Sequence, residues 1–142
     1  MLNQLIMQNL NNQLVLRRND YELLISYVNG GWAKTSSDYR NAEILKSELK
    51  KANVVSSIDF PPDVVGLNSV VTIKTADSNE VMQLEIVLPE KANFKEKKIS
   101  IMAPLATAVL GFRKGQQIKW LVPGGLKTFT ILEVINKPAT EV

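Results

Sequence analysis

The sequence predicts an α+β protein, a short helical hairpin followed by a sheet domain. Three observations carry this: apolar stripes at helical spacing confined to the first third, a double proline at Pro61-Pro62, and period-two alternation beyond it. With 142 residues, 45% hydrophobic and 22% charged, the chain has the composition of a globular protein with one sizeable core or two small ones.

Residues 2–13 are rich in Asn and Gln, with Leu2, Leu5, Ile6 and Leu10 only loosely on one helical face, which predicts a frayed start. Asn19 followed by Glu22 resembles a capping pair. Tyr21, Leu24, Ile25 and Val28 then recur at helical spacing, and Gly30-Gly31 stops the helix. After a tip over residues 30–36, Ser37 is the expected cap of a second helix, running from Asp38 to Ala52. Ala42, Leu45, Leu49 and Ala52 form its apolar stripe, and Lys46, Glu48, Lys50 and Lys51 are expected to face water. Two such helices with a short link read as an antiparallel hairpin. Proline cannot continue a helix, so the domain boundary is placed near Phe60, dividing the chain into 1–59 and 60–142.

Beyond the boundary the expected inward residues are Val71 and Ile73; Met82, Leu84, Ile86 and Leu88; Ile118, Trp120 and Val122; then Phe129, Ile131 and Ile135. Turns are expected at residues 77–79, at Lys114-Gly115 and at Pro123-Gly124-Gly125, giving an antiparallel or mixed sheet. A short helix over residues 103–110 has Pro104 in its first turn and Gly111 at its end.

Chemistry is sparse. Cys and His are absent, which removes disulfides, thiol nucleophiles, imidazole bases and the usual zinc ligands. The net charge of +3, from 17 basic and 14 acidic residues, names no partner. Residues 1–13 lack a cationic start followed by an apolar run, and no stretch is long and apolar enough for a membrane, so the cytoplasm is the default compartment. Asp59 and Asp63 flank the two prolines as a solvated linker rather than as paired acids. Lys91, Phe94, Lys95, Lys97 and Lys98 interleave cations with one ring, as single-stranded nucleic acid sites do; Glu90 and Glu96 dilute them, and one aromatic makes a poor stacking platform. Trp120 reads as core. Trp32 lies at the hairpin tip, where packing on its own helices and contact with a partner both remain open. No catalytic residue, metal site or cofactor emerges.

The order of motifs is more specific than any one of them. Lys98 to Gly111 (KISIMAPLATAVLG), then Gly115, then Trp120 to Gly125 (WLVPGG), preceded by Asp63 to Ser69 (DVVGLNS) and Ile86 to Ala92 (IVLPEKA), resemble the C-terminal domain of the GreA/GreB transcription elongation factors. Met102-Ala103-Pro104, Trp120 with Pro123-Gly124-Gly125, and the short N-terminal part resemble the Rnk-like branch of that family. The resemblance implies an FKBP-like sheet wrapped on a short helix. It also implies docking on bacterial RNA polymerase near the rim of the secondary channel, with DNA and RNA contacted only indirectly and no membrane.

The family's polymerase-contact loop maps onto Met102, Ala103, Pro104 and Leu105, where Ala103 replaces the usual Ser. Its hairpin tip maps onto Trp32, Lys34 and Asp38. Gre factors present two acids in a tip motif like Asp-Leu-Ser-Glu-Asn-Ala-Glu. Here the matching run is Asp38 to Glu43 (DYRNAE), with Arg40 close to where the second acid would stand. The resemblance therefore implies a non-enzymatic regulator that competes with longer channel-binding factors. Its rivals are a cleavage-stimulating factor acting through Asp38 and Glu43, and a stand-alone FKBP-like binding or chaperone domain. Prolyl isomerase activity would need an aromatic-lined pocket, for which the sheet domain has few rings.

Overall fold

The computed structural model describes residues 14–31, 33–122 and 125–137; the expectations for residues 2–13, Trp32, Pro123 and Gly124, and for the side chains of Trp120 and Val122, lie outside them. The first described element is strand β1 (Val15–Arg17), which runs directly into α1 (Arg18–Asn29); α2 (Ser36–Lys50) returns the chain to β2 (Asn53–Val55). The two helices pack on each other, and β1 pairs in parallel with β2, Leu16 opposite Val54. This pair closes the base of the hairpin and has no periodicity signal, since each strand is only three residues long.

Two helix starts differ from expectation. The cap of α2 is Thr35, not Ser37: the Asp38 backbone N–H donates to Thr35 Oγ1 at 3.0 Å, and the Asp38 carboxylate accepts from the Thr35 N–H at 3.3 Å, a complete capping box. Asn19 lies inside the first turn of α1, whose N-cap is Arg17 without a side-chain cap bond. Glu48 also departs from expectation. It is buried, 6% exposed, because the helix turns it with Leu45 and Leu49 toward the core. Burial pushes its carboxyl above the usual range, with Lys51, 3.5 Å away, acting in the opposite direction.

The sheet has the order β5-β4-β3-β7-β6, built from β3 (Val70–Thr75), β4 (Val81–Val87), β5 (Lys98–Ser100), β6 (Gln117–Val122) and β7 (Gly125–Ile135). All neighbours are antiparallel except β4 and β5. Between β5 and β6, α3 (Pro104–Val109) packs against β6; Pro104 stands in its first turn and Gly111 follows it at φ +81°.

Val71, Ile73, Leu84, Ile86, Ile118, Phe129 and Ile131 are buried as the alternation predicts. Ile135 is not: it is 54% exposed, and Val134 is buried instead. A bulge explains the change of phase. Ile73 opposes Ile131 while Thr72 opposes Glu133, so Leu132 is the extra residue, and every side chain after it changes face.

Leu24, Ala42, Leu45 and Leu49 of the hairpin belong to the same buried cluster as Val65, Leu67, Ile86, Ile101 and Leu110. Hairpin and sheet thus share one core. Each fully buried Leu or Ile contributes about 1.5–3 kcal/mol relative to leaving it in water.

Candidate docking surface

The loop between β5 and α3 is built by its own backbone. Ser100 accepts twice, from the Met102 N–H at its hydroxyl (3.0 Å) and from the Ala103 N–H at its carbonyl (2.9 Å). Thr107 Oγ1 donates within 3.3 Å of the Ile101 and 3.2 Å of the Ala103 carbonyls. Pro104 at the first helical position pre-sets the turn. Pro104 is exposed, Ala103 and Leu105 are half-buried, and Met102 is buried, 3% exposed. Of the four loop residues Met102 is the one turned inward. Its side chain anchors the loop in the core, and the accessible surface is Ala103, Pro104 and Leu105.

At the hairpin tip Lys34 is exposed, and Asp38 is half-buried. The Asp38 carboxylate accepts from the Lys34 N–H at 3.0 Å as well as from Thr35, so it is engaged in holding the cap. Glu43 and Arg40 are exposed on α2. Among the described residues no group of three or more acids is placed to bind a metal ion. Near the linker, Asp59 accepts from the Ser56 hydroxyl at 3.1 Å, and Asp63 faces Arg113 at 3.4 Å, both in exposed surroundings.

Periodicity gave no sign of what joins the two parts. Arg17 and Asp20, one at the end of β1 and the other in the first turn of α1, form an ion pair of 2.9 Å with side chains only 14% and 12% exposed. Together they take both backbone polar groups of Leu67: its N–H donates to Asp20 Oδ2 at 3.1 Å, and its carbonyl accepts from Arg17 at 2.9 Å. The Arg17 guanidinium lies 4.6 Å over the Phe60 ring. Gly66 makes room, since a Cβ there would stand 2.7 Å from the guanidinium. The only sequence signal was a cation and an acid three residues apart at the edge of an apolar run. Asn136, after β7, ties the linker down by donating to the Pro62 and Val64 carbonyls and accepting from Ser69.

A second hairpin-to-sheet contact lies at the basic segment. Tyr27 of α1 donates its phenol to Glu90 at 2.5 Å, which raises the Tyr27 pKa and lowers that of Glu90. Glu90 sits in the first of two 3-10 turns, Pro89–Lys91 and Phe94–Glu96, that precede β5. Phe94 is 88% exposed, and Glu96 pairs with Lys98 at 3.3 Å.

Known proteins match this arrangement. The family model described as transcription elongation factor GreA/GreB, C-terminal, matches residues 60–136. The chain is 37% identical over 98 residues to the regulator of nucleoside diphosphate kinase of Escherichia coli K12, covering 68% of this chain and 72% of that one. It is 36% identical over 90 residues to transcription elongation factor GreA of Clostridium novyi, of which it covers 57%. A solved GreA/GreB elongation factor from Nitrosomonas europaea superposes with a TM-score of 0.71 at 31% identity, over 87% of this chain and 98% of that one. No helix among the described residues is long and apolar enough to cross a membrane. The matched sheet, the loop before α3 and the short hairpin agree in one conclusion: the chain belongs to the GreA/GreB transcription elongation factor family, as a Rnk-like member.

Proposed function

We propose that this protein is a bacterial RNA polymerase-binding regulator that docks near the rim of the secondary channel and does not stimulate transcript cleavage. In this reading residues 60–142 supply affinity, chiefly through Ala103, Pro104 and Leu105, and the hairpin of α1 and α2 within residues 1–59 occupies the channel entrance. One observation carries the second half of the proposal. With 12 residues in α1 and 15 in α2 the helices rise only about 18 and about 22 Å, and the tip acid Asp38 is held by its own cap. Inner-sphere Mg²⁺ contacts require an oxygen within about 2.1 Å of the ion, so a carboxylate that stops short of the active site does nothing there.

The test is a backtracked elongation complex. Added alone, the protein leaves RNA 3′-end cleavage at its intrinsic rate; in excess, it slows cleavage stimulated by a Gre factor. Acceleration that Asp38→Asn or Glu43→Gln abolishes would instead establish the cleavage-factor reading. A second measurement concerns the loop: Pro104→Asp or Leu105→Asp weakens binding to core polymerase because a charge is desolvated in an apolar contact. Unchanged affinity in both variants removes the loop from the interface.

A further inference from the structure

We propose that the two 3-10 turns before β5 form a second anchor on RNA polymerase, with Phe94 seated against an acidic protein surface and Lys91, Lys95 and Lys97 facing its carboxylates. The proposal rests on the polymerase-docking reading and extends it to a separate patch.

A lone exposed ring is ordinary on a protein surface, so the exposure of Phe94 does not suffice. Its presentation adds to it. The turn that carries Phe94 is fastened at both ends: Asn93 Oδ1 accepts from the Lys95 N–H at 3.1 Å, and Asn93 and Lys98 exchange two backbone hydrogen bonds of 2.9 and 3.0 Å. Lys97 closes the turn at φ +60°, a conformation uncommon for a residue other than glycine, with its N–H donating to the Phe94 carbonyl at 3.0 Å. The ring is thus held outward by defined backbone, which lowers the entropy lost when it is immobilised.

Charge supplies the partner's chemistry. Of the segment's two acids, Glu96 is paired with Lys98, whereas Glu90, bonded to the neutral Tyr27 phenol, keeps its charge beside Lys91, and the four lysines 91, 95, 97 and 98 still leave the segment net positive. Lys91, Lys95 and Lys97 are all exposed; Lys91 lies in the field of Glu90, and Lys95 and Lys97 are in no salt bridge among the described residues. An aromatic ring rimmed by cations suits an acidic protein surface with an apolar recess. Nucleic acid is less suited, because a single ring offers no succession of stacking faces.

Position links the patch to the loop already proposed. Strand β5 is three residues long, about 10 Å, and joins the Phe94 turn at one end to the loop over residues 101–105 at the other. Both therefore lie along the β5 edge of the sheet, and the Tyr27–Glu90 bond braces that edge against the hairpin.

The test measures association and dissociation rates on core polymerase at low and moderate salt, for wild type, Phe94→Ala, Lys91→Glu/Lys95→Glu, and Pro104→Asp as the marker of the first contact. Phe94→Ala is expected to weaken binding about tenfold, mainly through faster dissociation. The lysine variant is expected to slow association and flatten its salt dependence. Thermal melting stays unchanged in both, since the replaced side chains are in water. If both variants bind like wild type while Pro104→Asp is weakened, the anchor is wrong and the docking reading stands. If wild-type protein does not bind polymerase, both fail together. If polymerase affinity is unchanged but the two variants lose binding to a fluorescent single-stranded oligonucleotide, the patch is a nucleic-acid site and the proposal is overturned.

Discussion

Asp20→Ala separates a structural ion pair from a decorative one. Asp20 Oδ2 accepts from the Leu67 N–H and faces the Arg17 guanidinium, both in surroundings from which water is largely excluded. Removing the carboxylate leaves a buried backbone donor unpaired, at a cost of about 1–3 kcal/mol. It also strips a buried cation of its counter-charge, a loss of about 3–5 kcal/mol where nothing else compensates. Here the Leu67 carbonyl and the Phe60 face still hold the guanidinium, so the combined loss is set at about 3 kcal/mol. For a chain of this length that lowers the melting temperature by about 10 °C. Differential scanning calorimetry on wild type, Asp20→Ala, Arg17→Ala and the double variant gives both the single losses and their coupling. Asp20→Asn, which keeps an acceptor for Leu67 but no charge, falls between. A drop of less than about 2 °C for Asp20→Ala would place the pair with exposed salt bridges and refute the argument from burial.

Glu48 carries a pH signature. Its folded pKa lies above the ordinary 4.5, so its contribution is fully present below that value and is lost as pH rises through the folded pKa. Urea titrations should show wild type gaining stability relative to Glu48→Gln as pH falls from neutral, and a constant difference would contradict the burial of the charge. Gly111→Ala should cost about 1–3 kcal/mol, because the residue sits at φ +81° and a Cβ would stand 3.0 Å from Leu14 Cβ; urea unfolding measures it, and an unchanged midpoint would show that this junction yields freely. Tyr27 should be a late-titrating tyrosine, above 10.0, and Glu90→Gln should bring it back toward that value in tyrosinate difference absorbance. No difference between wild type and variant would mean that the Tyr27–Glu90 bond is not populated.

Local pattern determined much of this protein. The stripes Tyr21-Leu24-Val28 and Ala42-Leu45-Leu49 announce two helices because side chains three and four apart share a face, and the alternation around Ile73, Ile86 and Ile131 announces strands for the corresponding reason at period two. Pro104 and Gly111 bound α3 by their own backbone restrictions, and the ordered motif from residue 63 to 125 carried the family. What escaped depended on partners distant in the chain. The three-residue strands β1 and β2 exist only because the hairpin brings Leu16 beside Val54. Ile135 lost its inward place to Val134 through a bulge set by pairing with β3. Met102 and Glu48 turned inward because the shared core reaches both, and Arg17, Asp20 and Leu67 meet across fifty residues of sequence. Periodicity measures which face a residue occupies within its own element; which faces meet, and which polar groups must then pair away from water, is decided only when the elements pack.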